Sequence, residues 1–182
     1  MAATEKKQMW FWSSPDGVAP EKVTRKIAAS QGVFMPGAPC YISTSGTVKL
    51  ADTSDGTGDT IHGFIVGLAN KTTAWPITAE LAANTEVEVS LIDTDDTYAV
   101  FVENNGTDAA ATQAMVGDSY GLTVSTTATQ IGYTTVDVNN SNTTVIVQDI
   151  MSNVNPSKYT TSTAPGIMLV KFLPANVNAS KA

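Results

Sequence analysis

The chain has 182 residues, of which 42% are hydrophobic and 15% charged, and its net charge is −7. This length and apolar content support one domain with a buried core, with or without an arm, and exclude a chain that is disordered throughout. The acidic balance excludes a typical nucleic-acid-binding protein, because such proteins need many cations against phosphate.

The first predicted element is an N-terminal segment that differs in composition from the rest. Up to Lys26 it holds five basic and three acidic side chains, whereas the remainder of the chain holds five and fourteen. Its stretch QMWFW, Gln8–Trp12, contains two of the three tryptophans. Chain starts are usually loose and polar, so this apolar run indicates a contact with something else. We predict an extended N-terminal arm over residues 1–30 and a β-barrel domain over residues 31–182.

The turn residues of SSPDGVAP follow the aromatic run, and Glu21–Ser30 fits either one or two turns of helix or an extended segment. From Gly32 onward, short runs of strand formers alternate with Gly, Pro, Asn and Asp, a pattern typical of strands between turns. The predicted strands are Ala38–Ser43, Thr47–Ala51, Ile61–Ala69, Glu86–Ile92, Tyr98–Glu103, Tyr120–Ser125, Thr143–Ile150 and Gly166–Leu173.

One short helix is predicted between the strands Tyr98–Glu103 and Tyr120–Ser125. Asp108 can cap it, AAATQAMV supplies good helix formers, and Gly117 can end it in the left-handed conformation. Period-two alternation in EVEVSLI puts Val87, Val89 and Leu91 on one face and Glu86, Glu88 and Ser90 on the other, which predicts strands with one wet face. The predicted fold class is therefore all-β, a small β-barrel or sandwich with one short helix.

Side chains that can support catalysis are few. His62 is the only histidine and Cys40 the only cysteine, so a catalytic triad would have to use His62 and a zinc site lacks ligands. We expect both residues to be structural, and we expect no enzyme activity and no cofactor.

Two Asp-rich turns are candidates for calcium, because carboxylates are the hard oxygen ligands that Ca²⁺ prefers. The first contains Asp52, Asp55 and Asp59, and the second lies at 93–96. Neither matches the spacing of a calcium-binding loop with its distant bidentate Glu. The favoured interpretation is a turn held by Asx hydrogen bonds, with the first cluster kept as a weak calcium candidate.

The order of the motifs resembles that of the head decoration (cement) proteins of tailed bacteriophages. The strand motifs GAPCYIS and IHGFIVGLAN come early, and TTVIVQDI and GIMLVKFL come late. Most of the resemblance is carried by VGDSYGL, Val116–Leu122, and by IVGLAN, Ile65–Asn70. It extends over Gly32–Leu173 and consists of strand, turn and glycine signals.

The resemblance implies a virion structural protein that binds the outside of the expanded phage capsid. Such a protein bridges major capsid subunits and stabilises the head against the pressure of the packaged DNA. Its partners would be the major capsid protein and neighbouring copies of itself, as in a trimer, with no nucleic acid and no membrane. The start of the chain lacks the smooth apolar run of a signal peptide, so we expect assembly in the host cytoplasm and a place on the capsid exterior.

Within this hypothesis QMWFW is an anchor, because large apolar side chains contribute most of the energy in many interfaces. Nearby basic residues would steer the arm toward an acidic capsid surface. The candidate capsid-binding residues are Lys6, Lys7, Met9, Trp10, Phe11, Trp12, Arg25 and Lys26. The alternative is that the segment folds back as an edge strand on its own barrel.

Other functions are compatible with the same sequence. A tail-tube or connector protein of the virion is one. A virion-displayed carbohydrate-binding β-module is another, with Trp75, Tyr98 and Tyr133 as possible sugar platforms. A hydrolase that uses His62 is the least favoured.

Overall fold

A computed structural model of the protein describes residues 9–51, 60–70, 80–124, 133–139 and 143–177. The strands are β1 (Trp10–Ser13), β2 (Lys22–Lys26), β3 (Ala38–Ile42), β4 (Val48–Leu50), β5 (Gly63–Leu68), β6 (Glu86–Leu91), β7 (Thr97–Asn104), β8 (Thr107–Asp108), β9 (Ser119–Val124), β10 (Thr134–Asp137), β11 (Val145–Ile150) and β12 (Ile167–Phe172). The helices are a single α-helical turn, α1 (Met151–Val154), and two 3-10 turns, Gln113–Met115 and Pro174–Asn176.

The longest strand, β7, is the centre of a seven-stranded sheet. It pairs antiparallel with β12 and parallel with β10. From β10 the pairings continue through β9 and β11 to β12, so these strands and β7 close into a small barrel. β1 and β8 pair with β7 outside this ring. Since closure removes the edges of the ring, the open edges of this sheet belong to β1 and β8.

The second sheet has five antiparallel strands in the order β2–β6–β5–β3–β4. Its two end strands approach each other where Ile27, directly after β2, forms a bridge with Val48 of β4. The backbone N–H of Ala28 donates to the carbonyl of Val48 at 2.8 Å. The second sheet therefore also closes on itself.

Alternation along β7 decides which side chains fill the first barrel. Tyr98 and Val100 have no exposed surface and belong to the main core, whereas Ala99 and Phe101 form a smaller cluster on the outer face. Full burial of a large apolar side chain stabilises the fold by roughly 1.5–3 kcal/mol. Phe64 of β5 also belongs to the main core, so this core extends from the first barrel to the second sheet.

The all-β prediction is confirmed, and every predicted strand forms, with small shifts at its ends. In β6, Val87 and Val89 are fully buried while Glu86 and Glu88 lie on the other face, as the alternation predicts, but Ser90 is buried and Leu91 half-buried, because Ser90 is covered where β6 lies between β2 and β5. Glu21–Ser30 takes the extended alternative and supplies β2. The short strands β8 and β10 were not predicted, because their sequences are short and mostly polar and give no clear alternation.

The helix predicted between Asp108 and Gly117 is wrong in extent. Asp108 ends β8, and only Gln113–Met115 forms a 3-10 turn. Tertiary pairing overrides the local propensity, because the N–H of Ala109 donates to the carbonyl of Val102 at 3.1 Å. Ala111 is buried against Gly166, and a Cβ added to Gly166 would overlap the backbone nitrogen of Ala111.

Candidate interface at the N-terminal segment

The described part of the N-terminal segment, residues 9–27, contributes one strand to each sheet. β1 lies antiparallel to β7, with Trp10 opposite Ala99 and Phe11 opposite Tyr98. The register shifts between Phe11 and Ser13, which indicates a β-bulge at Trp12. Over Met9–Ser13 the segment therefore folds back on its own barrel, as the alternative hypothesis holds.

Met9 is part of the protein's own core. Its side chain is 2% exposed, and its backbone passes directly over Gly37. Gly37 has φ +94°, and an added Cβ would stand 2.5 Å from the backbone nitrogen of Met9. Only glycine combines that backbone conformation with so close an approach. Met9 is thus held in place and is not presented to a partner.

The aromatic side chains after Met9 become progressively more exposed. The Trp10 ring packs on Phe101 with 5.7 Å between centroids, and the Phe11 ring stands edge-on to Tyr98 at 6.2 Å. Both are half-buried, whereas Trp12 is 41% exposed. Val18, in the turn between β1 and β2, is 63% exposed. Sequence analysis did not single out Val18, although its place after Gly17 in a turn was a signal for exposure.

Tyr98 is the centre of the aromatic packing beneath β1. Its ring makes T-shaped contacts with Phe64 at 5.6 Å and with Phe172 at 5.3 Å between centroids. Its hydroxyl accepts from the N–H of Asp93 at 3.2 Å and donates to Asp96 Oδ2 at 3.4 Å. Because Tyr98 is fully buried, it cannot serve as a sugar platform, and that part of the carbohydrate-binding prediction is wrong. Tyr133 is half-buried.

Burial also perturbs the two polar groups of this contact. Burial is the main cause that raises the pKa of the Tyr98 hydroxyl well above its usual range. Burial likewise raises the pKa of Asp96, and hydrogen bonds from Ser14 and Tyr98 oppose the shift. The negative charges of Asp93 and Asp16 raise the pKa of Asp96 further. The Asp96 carboxyl and the Tyr98 hydroxyl therefore bind their protons more tightly in the folded chain than in the unfolded chain.

The described basic residues of the segment, Lys22, Arg25 and Lys26, lie on β2 in the other sheet and not beside the aromatic residues. Lys22 approaches Glu88 at 3.5 Å, an exposed pair of the kind that contributes about 0–1 kcal/mol. Lys26 is exposed and faces Glu86 across the β2–β6 pair. The Arg25 guanidinium donates to the carbonyl of Thr24 at 2.9 Å. The acidic face of β6 thus offsets part of the positive charge that sequence analysis assigned to a capsid contact.

Cys40 lies in β3, and His62 lies directly before β5. Nδ1 of His62 lies 3.3 Å from the N–H of Ile42 and 3.1 Å from the carbonyl of Thr60, so its hydrogen bonds are local and to backbone. Cys40 is fully buried in β3, and burial raises the pKa of its thiol far above the usual range. A thiol held protonated in this way is a poor nucleophile.

The second Asp-rich turn has the geometry of a turn. The N–H of Asp95 donates to Asp93 Oδ1 at 3.0 Å, the Asx hydrogen bond expected there. Within the part of the chain that the structure describes, no group of three or more His, Cys, Asp or Glu side chains is placed to hold a metal. The first calcium candidate (Asp52, Asp55, Asp59) lies outside the described residues, as do Lys6, Lys7 and Trp75.

No family model matches the chain, and neither the curated proteins nor the solved structures include a match. None of the helices in the described ranges has the length and apolarity to cross a membrane. Within the described residues, the aromatic segment Met9–Trp12 has the chemistry of a contact surface. Its Trp12 is exposed and lies on the edge strand β1, which pairs with β7 of the first barrel.

Proposed function

We propose that this chain is a virion structural protein, a decoration protein that binds the outside of the expanded head of a tailed bacteriophage. It would bridge major capsid subunits and stabilise the head against internal DNA pressure. The two motifs that carry the resemblance form strands and turns as expected. Ile65–Asn70 spans β5 and the turn after it, and Val116–Leu122 leads from the 3-10 turn into β9.

The observation that carries the proposal is the exposed Trp12 on β1. Tryptophan is among the residue types enriched in those that dominate interface energies. Here the side chain is 41% exposed although its neighbours Trp10 and Phe11 pack on the barrel. A rigid strand that presents one aromatic group loses little conformational entropy on binding.

The fold suits a module that bears load. Both sheets close on themselves, and the main core of the first barrel extends to the second sheet, so a load applied at β1 would be shared through β7 by both sheets. The net charge of −7 would keep such a surface from adhering to nucleic acid or to other acidic particles.

The decisive experiment is the copy number of the protein in purified virions, measured by quantitative mass spectrometry against the major capsid protein. A decoration protein is expected at a ratio near one or at a simple fraction of it. A copy number that corresponds to only a few rings of this protein per virion would instead assign the chain to the tail or connector. Absence from the particle would overturn the proposal.

A further inference from the structure

The pair of strands β1 and β7 ends in two facing turns. Ser13, the last residue of β1, lies opposite Thr97, the first residue of β7. Beyond this pair the chain turns over residues 14–17 on one side and over residues 93–96 on the other, and a backbone hydrogen bond closes each turn. We call these two turns together the acidic latch, because each of them carries carboxylates.

The polar link between the two turns is the side chain of Asp96. This residue is only 5% exposed. Its Oδ2 accepts from the hydroxyl of Tyr98 at 3.4 Å, and its carboxylate also accepts a hydrogen bond from the side chain of Ser14 in the facing turn. The contact between Ser14 and Asp96 therefore joins the end of β1 to the turn before β7.

The charges that act on Asp96 among the described residues are both negative. They are Asp93 in the same turn and Asp16 in the facing turn. Hydrogen bonds hold both in place, since Asp16 accepts from the N–H of Val18 at 2.9 Å and Asp93 from the N–H of Asp95 at 3.0 Å. Burial is the largest cause that raises the pKa of Asp96, and the two charges raise it further. A buried carboxylate beside two others is costly once it is ionised.

We propose that the acidic latch responds to pH: it is closed while the Asp96 carboxyl is protonated, and it opens more readily once that carboxyl is ionised. A protonated Asp96 keeps its contacts with Ser14 and Tyr98 and is not repelled by the neighbouring carboxylates. An ionised Asp96 gains free energy by reaching water, which it can do when the two turns separate. Closure is therefore weakened as pH rises through the ionisation of Asp96. Because Ser14 directly follows β1, the latch determines how firmly the end of β1 is held.

The test is amide hydrogen exchange of the purified full chain, followed by NMR from about pH 4 to about pH 7, which begins near the ordinary pKa of an aspartate. Each rate is compared with the intrinsic rate at the same pH, so that the ratio reports protection alone. The N–H groups of Gly17 and Asp96 report on the latch, and that of Val102, which donates to the carbonyl of Gly166 at 3.0 Å, reports on global unfolding. Asp96→Asn is the variant, and Asp95→Asn is its matched control, because it removes the same charge from an exposed position of the same turn.

We expect the protection of the Gly17 and Asp96 amides to fall together as pH rises, about tenfold for each pH unit between the ionisation midpoints of Asp96 in the closed and open latch. Both amides should be less protected than that of Val102, because the latch opens without global unfolding. In Asp96→Asn the protection of Gly17 should no longer depend on pH, whereas in Asp95→Asn it should fall as in the parent chain.

Asp93→Asn is a second variant, which keeps the inference open to test if circular dichroism shows that Asp96→Asn does not fold. It removes one of the two repelling charges and retains an oxygen that can accept from the N–H of Asp95, so the fall in protection should become smaller. Protection of Gly17 that does not change with pH in the parent chain overturns the inference, and so does an equal fall in Asp96→Asn. Protection as high as that of Val102 also overturns it. The proposal concerns the free chain, so it stands independently of the phage assignment and of the virion copy number.

Discussion

Adjacent residues of the N-terminal aromatic segment differ in role although they are similar in chemistry. Met9 is 2% exposed and sits in the main core, while Trp12 is 41% exposed. Trp10 and Phe11 lie between these extremes and cover Phe101 and Tyr98. Position relative to β7, and not side-chain type, separates the buried Met9 from the exposed Trp12.

Truncation to alanine should show this separation. Met9→Ala should lower the free energy of unfolding by about 2–5 kcal/mol, the range for a fully buried methionine that leaves a cavity. Trp12→Ala should lower it by clearly less than Met9→Ala does, because the side chain is 41% exposed and its removal leaves no enclosed cavity. Urea denaturation measures both. Equal losses would mean that the segment is either wholly core or wholly detached.

Asp96 should make stability depend on pH. Because burial raises its pKa in the folded chain, the folded state holds the proton to higher pH than the unfolded state does. Stability is therefore lost as pH rises from the unfolded pKa, near 3.9, through the folded pKa. Asp96→Asn removes this loss, so the melting temperature of the variant minus that of the parent should increase from acid to neutral pH. A difference independent of pH would contradict this account.

Thr134 carries a hydroxyl that the first barrel does not satisfy. Its side chain is fully buried, and its Oγ1 has no hydrogen-bond partner among the described residues. Thr134→Val keeps the shape and removes the polar group, so it should stabilise the protein by about 1 kcal/mol. The exposed Thr24 on β2 is the control, and Thr24→Val should have almost no effect. A loss of stability in Thr134→Val would show that the hydroxyl has a partner.

At the scale of elements, the position of the short strand β1 depends on Met9, the residue directly before it. The backbone of Met9 lies against Gly37 in a chain segment that leads into β3. The first strand is thereby fixed between the two sheets, and not only to β7.

Gly37→Ala should dislodge β1. Gly37 and Gly17 both have positive φ, at +94° and +72°, but only at Gly37 would a Cβ meet backbone atoms. Gly17→Ala should cost about 1 kcal/mol for the backbone conformation alone, and Gly37→Ala clearly more. Hydrogen exchange at Trp10–Ser13 should accelerate in Gly37→Ala and not in Gly17→Ala. Unchanged exchange in both would show that Met9 is not the fixing point.

At the scale of the whole molecule, the second sheet has a core of its own around Ile65, Val87 and Val89, and the main core of the first barrel also extends to this sheet. Phe64 of the second sheet contacts Tyr98 of the first, and Ile61 and Met9 belong to the same cluster. A bridge between Ile61 and Val177 adds a backbone connection. The sheets therefore stabilise each other.

We expect a single cooperative unfolding transition, seen at the same denaturant concentration by far-UV circular dichroism and by hydrogen exchange of amides in either sheet. Phe64→Ala should lower the free energy of unfolding by about 3–5 kcal/mol. Because this variant loses a contact between the sheets, it is the one in which the two sheets are most expected to unfold in separate transitions. Two transitions in the parent protein would show that the sheets are independent units.

The sequence by itself determined the all-β class and eight of the ten described strands from Ala38 onward, because these follow from local alternation and turn residues. Only the tertiary structure decided that Ala109–Thr112 stay outside a helix, that β10 pairs parallel to β7, and that Met9 is core while Trp12 is surface. The physical reason is the same in each case. Backbone pairing and burial against residues far away in the chain contribute more free energy than local propensity does, and a sequence pattern does not contain those distant partners.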